Sequence, residues 1–282
     1  SAPRSIWLLA SSPPRTGSFQ AAPVVPVMLW NTSAFGFAAF TLPLMPVQQL
    51  LLWAWPAAAA RFPHWYHRNV ARLLGIRIVI SGQRPAGGPA FIVANHVSWL
   101  DIIVLSAAAP VSFVAKKEVA KWPFFGTLSR LQRTVYIDRE RRHSTGKERD
   151  EISERLKEGG MIVLFPEGTS HTGREILPFR SSYFAAVHDP DIPVIPVTLA
   201  YTARWGLPLL QREVPRYAWY GDMDLPPHLW NAVAEGPLTV EVIFHEPETM
   251  AHARDRKRLA AHAERTIRHG LVDALHGPVK NG

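Results

Sequence analysis

The chain of 282 residues contains no cysteine. That absence removes disulfides, thiolate nucleophiles and cysteine metal ligands, and leaves the redox compartment open. The 12 histidines are scattered without the paired spacing of a metal site, and neither an HExxH string nor a Cys/His cluster occurs, so no metal is expected. No internal repeat is visible. Charge is missing altogether between Thr16 and Ala60, a run of 45 positions.

A bilayer core needs roughly 20 apolar residues per helical pass, so the charge-free run is long enough to belong in or on a membrane. Prolines at 23, 26, 43, 46 and 56, with Asn31-Thr32-Ser33, argue against two straight spans and for broken helices or a hairpin dipping into one leaflet. Trp30, Trp53, Trp55, Trp65 and Tyr66, with Arg61, Arg68 and Arg72 just beyond, read as interfacial anchors. A buried soluble hairpin is the alternative. The run is too long for the apolar part of a signal peptide and shows no small-residue cleavage pattern. Ser1 to Gln20, rich in Ser, Pro and Arg, reads as a mobile tail. The expected organisation is therefore a tail over 1–20, a membrane-associated helical segment over 21–75 and an α/β domain over 76–282.

With 31 Lys+Arg against 23 Asp+Glu, the net charge of +8 favours anionic partners: phospholipid headgroups, an acidic carrier protein, coenzyme A phosphates or nucleic acid. Charge alone does not choose among them.

From Ile76 short β-rich runs alternate with helical stretches, the pattern of a layered α/β domain. Strands are expected at 76–81, 90–94, 111–115, 134–137, 161–165, 192–199 and 238–244, and helices at 99–108, 148–158, 181–188 and 248–269. In the last of these, Leu259, Ala263, Ile267 and Leu271 recur every four residues and define a packed face. The stretch 205–230, with Pro208, Pro215, Pro226 and Pro227, reads as a long surface loop near the mouth of the site.

Two apolar runs end in polar turns. Ala90 to Ala94 leads into Asn95-His96-Val97-Ser98-Trp99-Leu100-Asp101, and Met161 to Phe165 into Pro166-Glu167-Gly168-Thr169. A neutral His96 takes a proton from a hydroxyl near pH 7, and Asp101, accepting the other ring N–H, fixes its tautomer. The same string fits a capping box with Ser98 as N-cap and Asp101 at N3, which leaves the aspartate merely structural.

At this point the chain resembles the glycerolipid acyltransferases of the 1-acylglycerol-3-phosphate acyltransferase (PlsC-like) type, whose ordered motifs are NHxxxxD (the HX4D motif), GxxFIxR, EGT and a proline-containing VPV block. The resemblance runs from about Ile76 to Tyr201. The second block reads Arg133-Thr134-Val135-Tyr136-Ile137-Asp138-Arg139, with arginine for the usual glycine and tyrosine for phenylalanine. In the third, Glu167-Gly168-Thr169 is followed by Ser170, where relatives often have arginine. Trp219-Tyr220-Gly221-Asp222-Met223 looks like a segment of a bacterial branch of the family.

The resemblance implies a mixed-sheet layered acyltransferase domain behind a membrane-associated helical hairpin. It implies transfer of a fatty acyl group from a coenzyme A or acyl carrier protein thioester to the sn-2 hydroxyl of lysophosphatidate, giving phosphatidate. A lyso-ornithine lipid or another lysolipid is the alternative acceptor. No further cofactor is expected, and the expected partners are the membrane lipid and the acyl donor, with no nucleic acid. The expected place is the cytoplasmic face of a bacterial inner membrane. His96 and Asp101 are the catalytic candidates. Arg139, Gly168 and Thr169 form an anion cradle; Glu167, whose charge repels phosphate, holds the loop; Lys116 and Arg180, with Lys117 and Arg174, are further basic candidates. Ser98 lies in no nucleophile elbow and is assigned to capping. Pro193 and Pro196 are assigned a structural role at a strand entrance or edge. A non-enzymatic membrane-binding or nucleic-acid-binding protein is the rival class, and it leaves both polar turns unexplained.

Overall fold

The computed structural model describes residues 30–137, 146–187 and 189–276. Its centre is a mixed eight-stranded sheet. The strands are β1 (Ile76–Gly82), β2 (Ala90–Ala94), β3 (Val111–Lys116), β4 (Val135–Ile137), β5 (Met161–Leu164), β6 (Val194–Arg204), β7 (Leu207–Pro208) and β8 (Leu238–Phe244). Their order is β1-β8-β6-β2-β5-β3-β4, with β7 on β6. Strands β6, β2, β5, β3 and β4 run parallel, while β8 is antiparallel to β6 and carries β1 parallel to itself. Every residue of β2 and β5 is buried, as expected of parallel strands covered on both faces. This is the α/β mixed-sheet architecture anticipated from the pattern of runs.

Alternation along the strands sends side chains to two cores. Ile92, Val163, Val197 and Tyr201 pack on one face with α2 (Pro56–Leu73) and α3 (Leu100–Ala108). Phe91, Ile162, Leu164 and Val194 pack on the other with α5 (Gly146–Lys157) and α8 (Arg256–His276).

The N-terminal hairpin is α1 (Trp30–Ala54) followed by α2. Helix α1 runs unbroken through Pro43 and Pro46, and the break comes at Trp55, whose extended φ of -145° precedes Pro56 at the first helical position. Gly36–Ala54 is long and apolar enough to cross a membrane. Its outer surface leaves Leu42, Leu50 and Trp53 exposed, Trp53 at 83%, with Trp55 beside them at 69%. The inner side is tied to the domain: Gln48 Nε2 donates to the carbonyls of Ala59 (3.0 Å) and Leu131 (2.8 Å), and Thr41 Oγ1 lies 2.8 Å from the Tyr66 hydroxyl.

Several elements differ from the sequence reading. The stretch 181–188 forms a 3-10 helix at Ser181–Ala186. The single helix expected over 248–269 is two, α7 (Met250–Ala253) and α8, separated where Arg254 adopts a left-handed φ of 62°. A 3-10 turn at Lys117–Lys121 and α4 (Phe125–Leu131) lie where no helix was expected. The irregular stretch 205–230 holds β7 and the start of α6 (Leu225–Ala234), where Pro226 and Pro227 fall in the first turn and need no intrahelical donor. The 1–20 tail, Arg139 and His188 lie outside the described residues.

At Gly270 α8 lies close against the sheet: a Cβ there would lie 2.5 Å from Thr198 Oγ1 and 2.7 Å from the His245 ring. Overpacking of this kind costs about 1–3 kcal/mol, more than alanine returns in helix propensity. Gly270→Ala should lower Tm by several degrees while leaving the activity per folded molecule unchanged. A Tm at or above wild type would show that this contact yields freely.

Candidate active site

Strand β2 ends against β6 through Asn95, whose side chain closes the ladder. Nδ2 donates to the Leu199 carbonyl (2.9 Å) and Oδ1 accepts from the Leu199 N–H (2.8 Å). The chain then turns, and His96 Nδ1 reaches Asp101 Oδ2 at 2.9 Å. A carboxylate only accepts, so Nδ1 carries the proton and Nε2 keeps its lone pair. Asp101 Oδ2 also accepts from the backbone N–H of Val97 (2.7 Å) and Ser98 (2.9 Å). One carboxylate oxygen therefore bonds both the imidazole and the backbone of the turn. Ser98, by contrast, does not cap: the N-cap position falls on Trp99, and the buried Ser98 hydroxyl has no partner among the described residues.

Asp101's remaining oxygen, Oδ1, accepts from the Tyr201 hydroxyl at 2.6 Å. Burial and the neighbouring Asp101 carboxylate raise the tyrosine well above its usual 10.0, which keeps it a protonated donor. Sequence reasoning missed Tyr201. Its signal was parity: it shares the i, i+2 face of Ile195, Val197 and Leu199 and is the first residue there able to donate a hydrogen bond. Phe165, at the end of β5, stacks on the His96 imidazole with centroids 4.0 Å apart and planes 15° apart, which holds the ring flat beside the cavity.

The second turn is locked to the first by Glu167. Buried to 2% exposure, it accepts from the His96 N–H through Oε1 and from the Leu177 N–H through Oε2, both at 2.8 Å. His171 Nε2 lies 2.7 Å from Oε2 but off hydrogen-bond alignment. The Gly173 N–H donates to His171 Nδ1, which leaves the ring proton on Nε2, facing the carboxylate. Glu167 is therefore a brace facing inward. Gly168 holds φ at 79°, a left-handed value suited to glycine, and a Cβ there would press on Tyr183 Oη at 3.2 Å and on the Arg180 guanidinium at 3.3 Å. Thr169 is exposed; Ser170 donates through its hydroxyl to the Trp219 carbonyl.

A cavity of about 890 Å³ opens beside His96. From the catalytic side it is lined by His96, Trp99, Phe165 and Gly168 to Ser170, and from the N-terminal side by α1 and α2 through Phe37, Leu44, Gln48 and Tyr66. That volume lies near the top of the roughly 300–1,000 Å³ range of small-molecule sites, and the lining is mostly apolar. Among the described residues its charged side chains are Lys116 and Glu118. Arg180 is exposed beside Gly168; it, Lys117 and Arg174 are exposed and do not line the cavity. No group of three or more His, Asp or Glu that could hold a metal occurs among the described residues.

A histidine with an unprotonated Nε2 beside an apolar cavity suits acyl chemistry on a lipid, and comparison with known proteins bears on the family directly. A family model described as Acyltransferase matches residues 75–200. The lyso-ornithine lipid O-acyltransferase of Brucella abortus (strain 2308) is 42% identical over 246 residues, 85% of this chain and 92% of that protein. The chain belongs to the PlsC-like acyltransferase family. The 1-acyl-sn-glycerol-3-phosphate acyltransferase of Neisseria gonorrhoeae is 35% identical over 191 residues, 68% of this chain and 72% of its own length. The crystal structure of the 1-acyl-sn-glycerophosphate acyltransferase PlsC from Thermotoga maritima shares the fold, with a TM-score of 0.61 at 20% identity, over 88% of this chain and 93% of that one. The protein is thus an acyltransferase of the lysolipid family, acting with an acyl donor on a lysolipid.

Removing the Tyr201 hydroxyl leaves Asp101 Oδ1 buried and unpaired, at about 1–3 kcal/mol. Tyr201→Phe should lower kcat about tenfold or more with little change in KM for the acyl donor. Unchanged kcat with a lowered Tm would make the tyrosine structural only.

Proposed function

We propose that this acyltransferase O-acylates a lyso-ornithine lipid at the membrane. The observation that carries the choice of acceptor is the charge balance of the cavity. Among the described residues one cation and one anion line it, Lys116 and Glu118, and Ser170 stands where relatives often place arginine. A phosphomonoester carries close to two negative charges and calls for several permanent cations. An ornithine head is zwitterionic, one carboxylate and one ammonium, and matches one charge of each sign. The greater identity and coverage of the Brucella relative support the same choice. Lysophosphatidate, the acceptor favoured by the motifs alone, is the second reading. It draws support from the Neisseria relative and from Arg139.

In the reaction, His96 Nε2 takes the proton of the acceptor hydroxyl as its oxygen attacks the thioester carbonyl. The new C–O bond forms, the tetrahedral oxyanion collapses, the C–S bond breaks, and the imidazolium returns its proton to the departing thiolate. Asp101 holds the imidazole in the reactive tautomer and stabilises its protonated form. No covalent enzyme intermediate is needed, and the donor thioester rides on coenzyme A or acyl carrier protein. The apolar cavity takes acyl chain, and the end of α1, with exposed Trp53 and, beyond it, Trp55, brings the mouth to the bilayer. Thioester donors are cytoplasmic, so on this reading the site faces the cytoplasm at the inner membrane.

Purified protein in mixed micelles should turn over lyso-ornithine lipid with a higher kcat/KM than lysophosphatidate, and His96→Ala should lose about 10²–10⁴-fold in rate. Preference for lysophosphatidate would overturn the acceptor; near wild-type turnover by folded His96→Ala would overturn the base.

A further inference from the structure

We infer that the aromatic corner formed by Trp122 and Trp219, with Tyr220 beside it, is the seat of the acceptor's ammonium group. The inference rests on the lyso-ornithine reading and deepens it. All three rings line the same cavity as His96 and the Gly168 to Ser170 turn. Trp122 and Trp219 meet edge to face, with centroids 5.6 Å apart and planes at 89°. Such a pair covers at most one face of one ring, and the uncovered π faces are where an ammonium binds.

The corner is built rather than incidental. The Trp219 backbone is fastened to both polar turns: its N–H donates to the Val97 carbonyl at 3.0 Å, and its carbonyl accepts the Ser170 hydroxyl. Its indole N–H donates to the Met223 carbonyl at 2.8 Å, which fixes the ring. With that hydrogen bond made, the indole offers a ligand its face rather than its donor. Ser170 thus has a definite task where relatives often have arginine. It ties the aromatic wall in place, and no cation of its own sits there to repel an ammonium.

The 3-10 turn before the corner carries both signs, Lys117 and Lys121 with Glu118. Glu118, the acidic group among the described lining residues, lies four positions before Trp122, on the 3-10 turn that ends at Lys121. The head is divided accordingly: carboxylate toward Lys116, ammonium against the indoles. The distal amine selects the headgroup, while the hydroxyl that reacts is presented to His96.

The test compares two acceptors on each enzyme preparation: the lyso-ornithine lipid and its norvaline analogue, in which hydrogen replaces the ammonium. Their kcat/KM ratio does not depend on how much of a variant is folded. The wild type should favour the ornithine lipid about three- to thirtyfold, the range of a partly desolvated cation–π contact. Trp122→Leu, which keeps apolar bulk without a π face, should bring the ratio close to one with KM for the acyl donor unchanged. Trp122→Phe should keep part of the preference. A ratio near one in the wild type, or a wild-type ratio in Trp122→Leu, would overturn the assignment. Acylation of lysophosphatidate with no turnover of either amino-acid lysolipid would sink the acceptor reading, and this site with it.

Discussion

One carboxylate organises the candidate site. Asp101 accepts four hydrogen bonds: from the His96 ring, from the Val97 and Ser98 backbone, and from Tyr201. It does so with no exposed surface. A buried carboxylate is tolerated only when its lone pairs are engaged, and here the partners come from the turn after β2 and from β6. The backbone donors shape the turn after β2, the histidine is aimed by it, and the tyrosine brings in β6. The cost of burying the charge is offset by bonds that together leave the imidazole one position and one tautomer.

Glu167 repeats the device one strand away. It too is buried and spends its oxygens on backbone N–H groups, one of them that of His96 itself. Two carboxylates that never face the cavity therefore hold the two turns that do. Trp219 completes the frame from the 205–224 excursion, bonding to each turn once. The hairpin belongs to the same unit, because α1 and α2 wall the cavity that begins at His96, and Gln48 bonds α1 to the carbonyls of Ala59 and Leu131. Removal of α1 and α2 would leave that side of the cavity without a wall.

Much of this was legible in the chain. Continuous apolar runs located the central strands because parallel strands covered on both faces need no polar alternation. The two polar turns announced themselves by following such runs. Other features were not legible, for identifiable reasons. Tyr201 acts across 100 positions of sequence, and no local pattern connects it to Asp101. Ser98 fits a capping box by composition, yet the helix begins one residue later and the Asp101 carboxylate bonds the N–H groups of the turn before it. The prolines of α1 suggested a break inside it, but the break falls at Trp55, where an extended residue precedes Pro56. Helix α6 was hidden because its prolines, read as loop residues, occupy the one turn of a helix that accepts them.

The central claim is that Asp101 keeps His96 with its proton on Nδ1 and its lone pair on Nε2. Nitrogen-15 NMR of ring-labelled histidine, assigned through His96→Gln, reads that state directly in the detergent-solubilised protein at alkaline pH. The account predicts a protonated Nδ1 and an unprotonated, acceptor-type Nε2 in the wild type, with that preference weakened in Asp101→Asn. A wild-type His96 protonated at Nε2 would contradict it, since that ring has no lone pair to offer the acceptor hydroxyl.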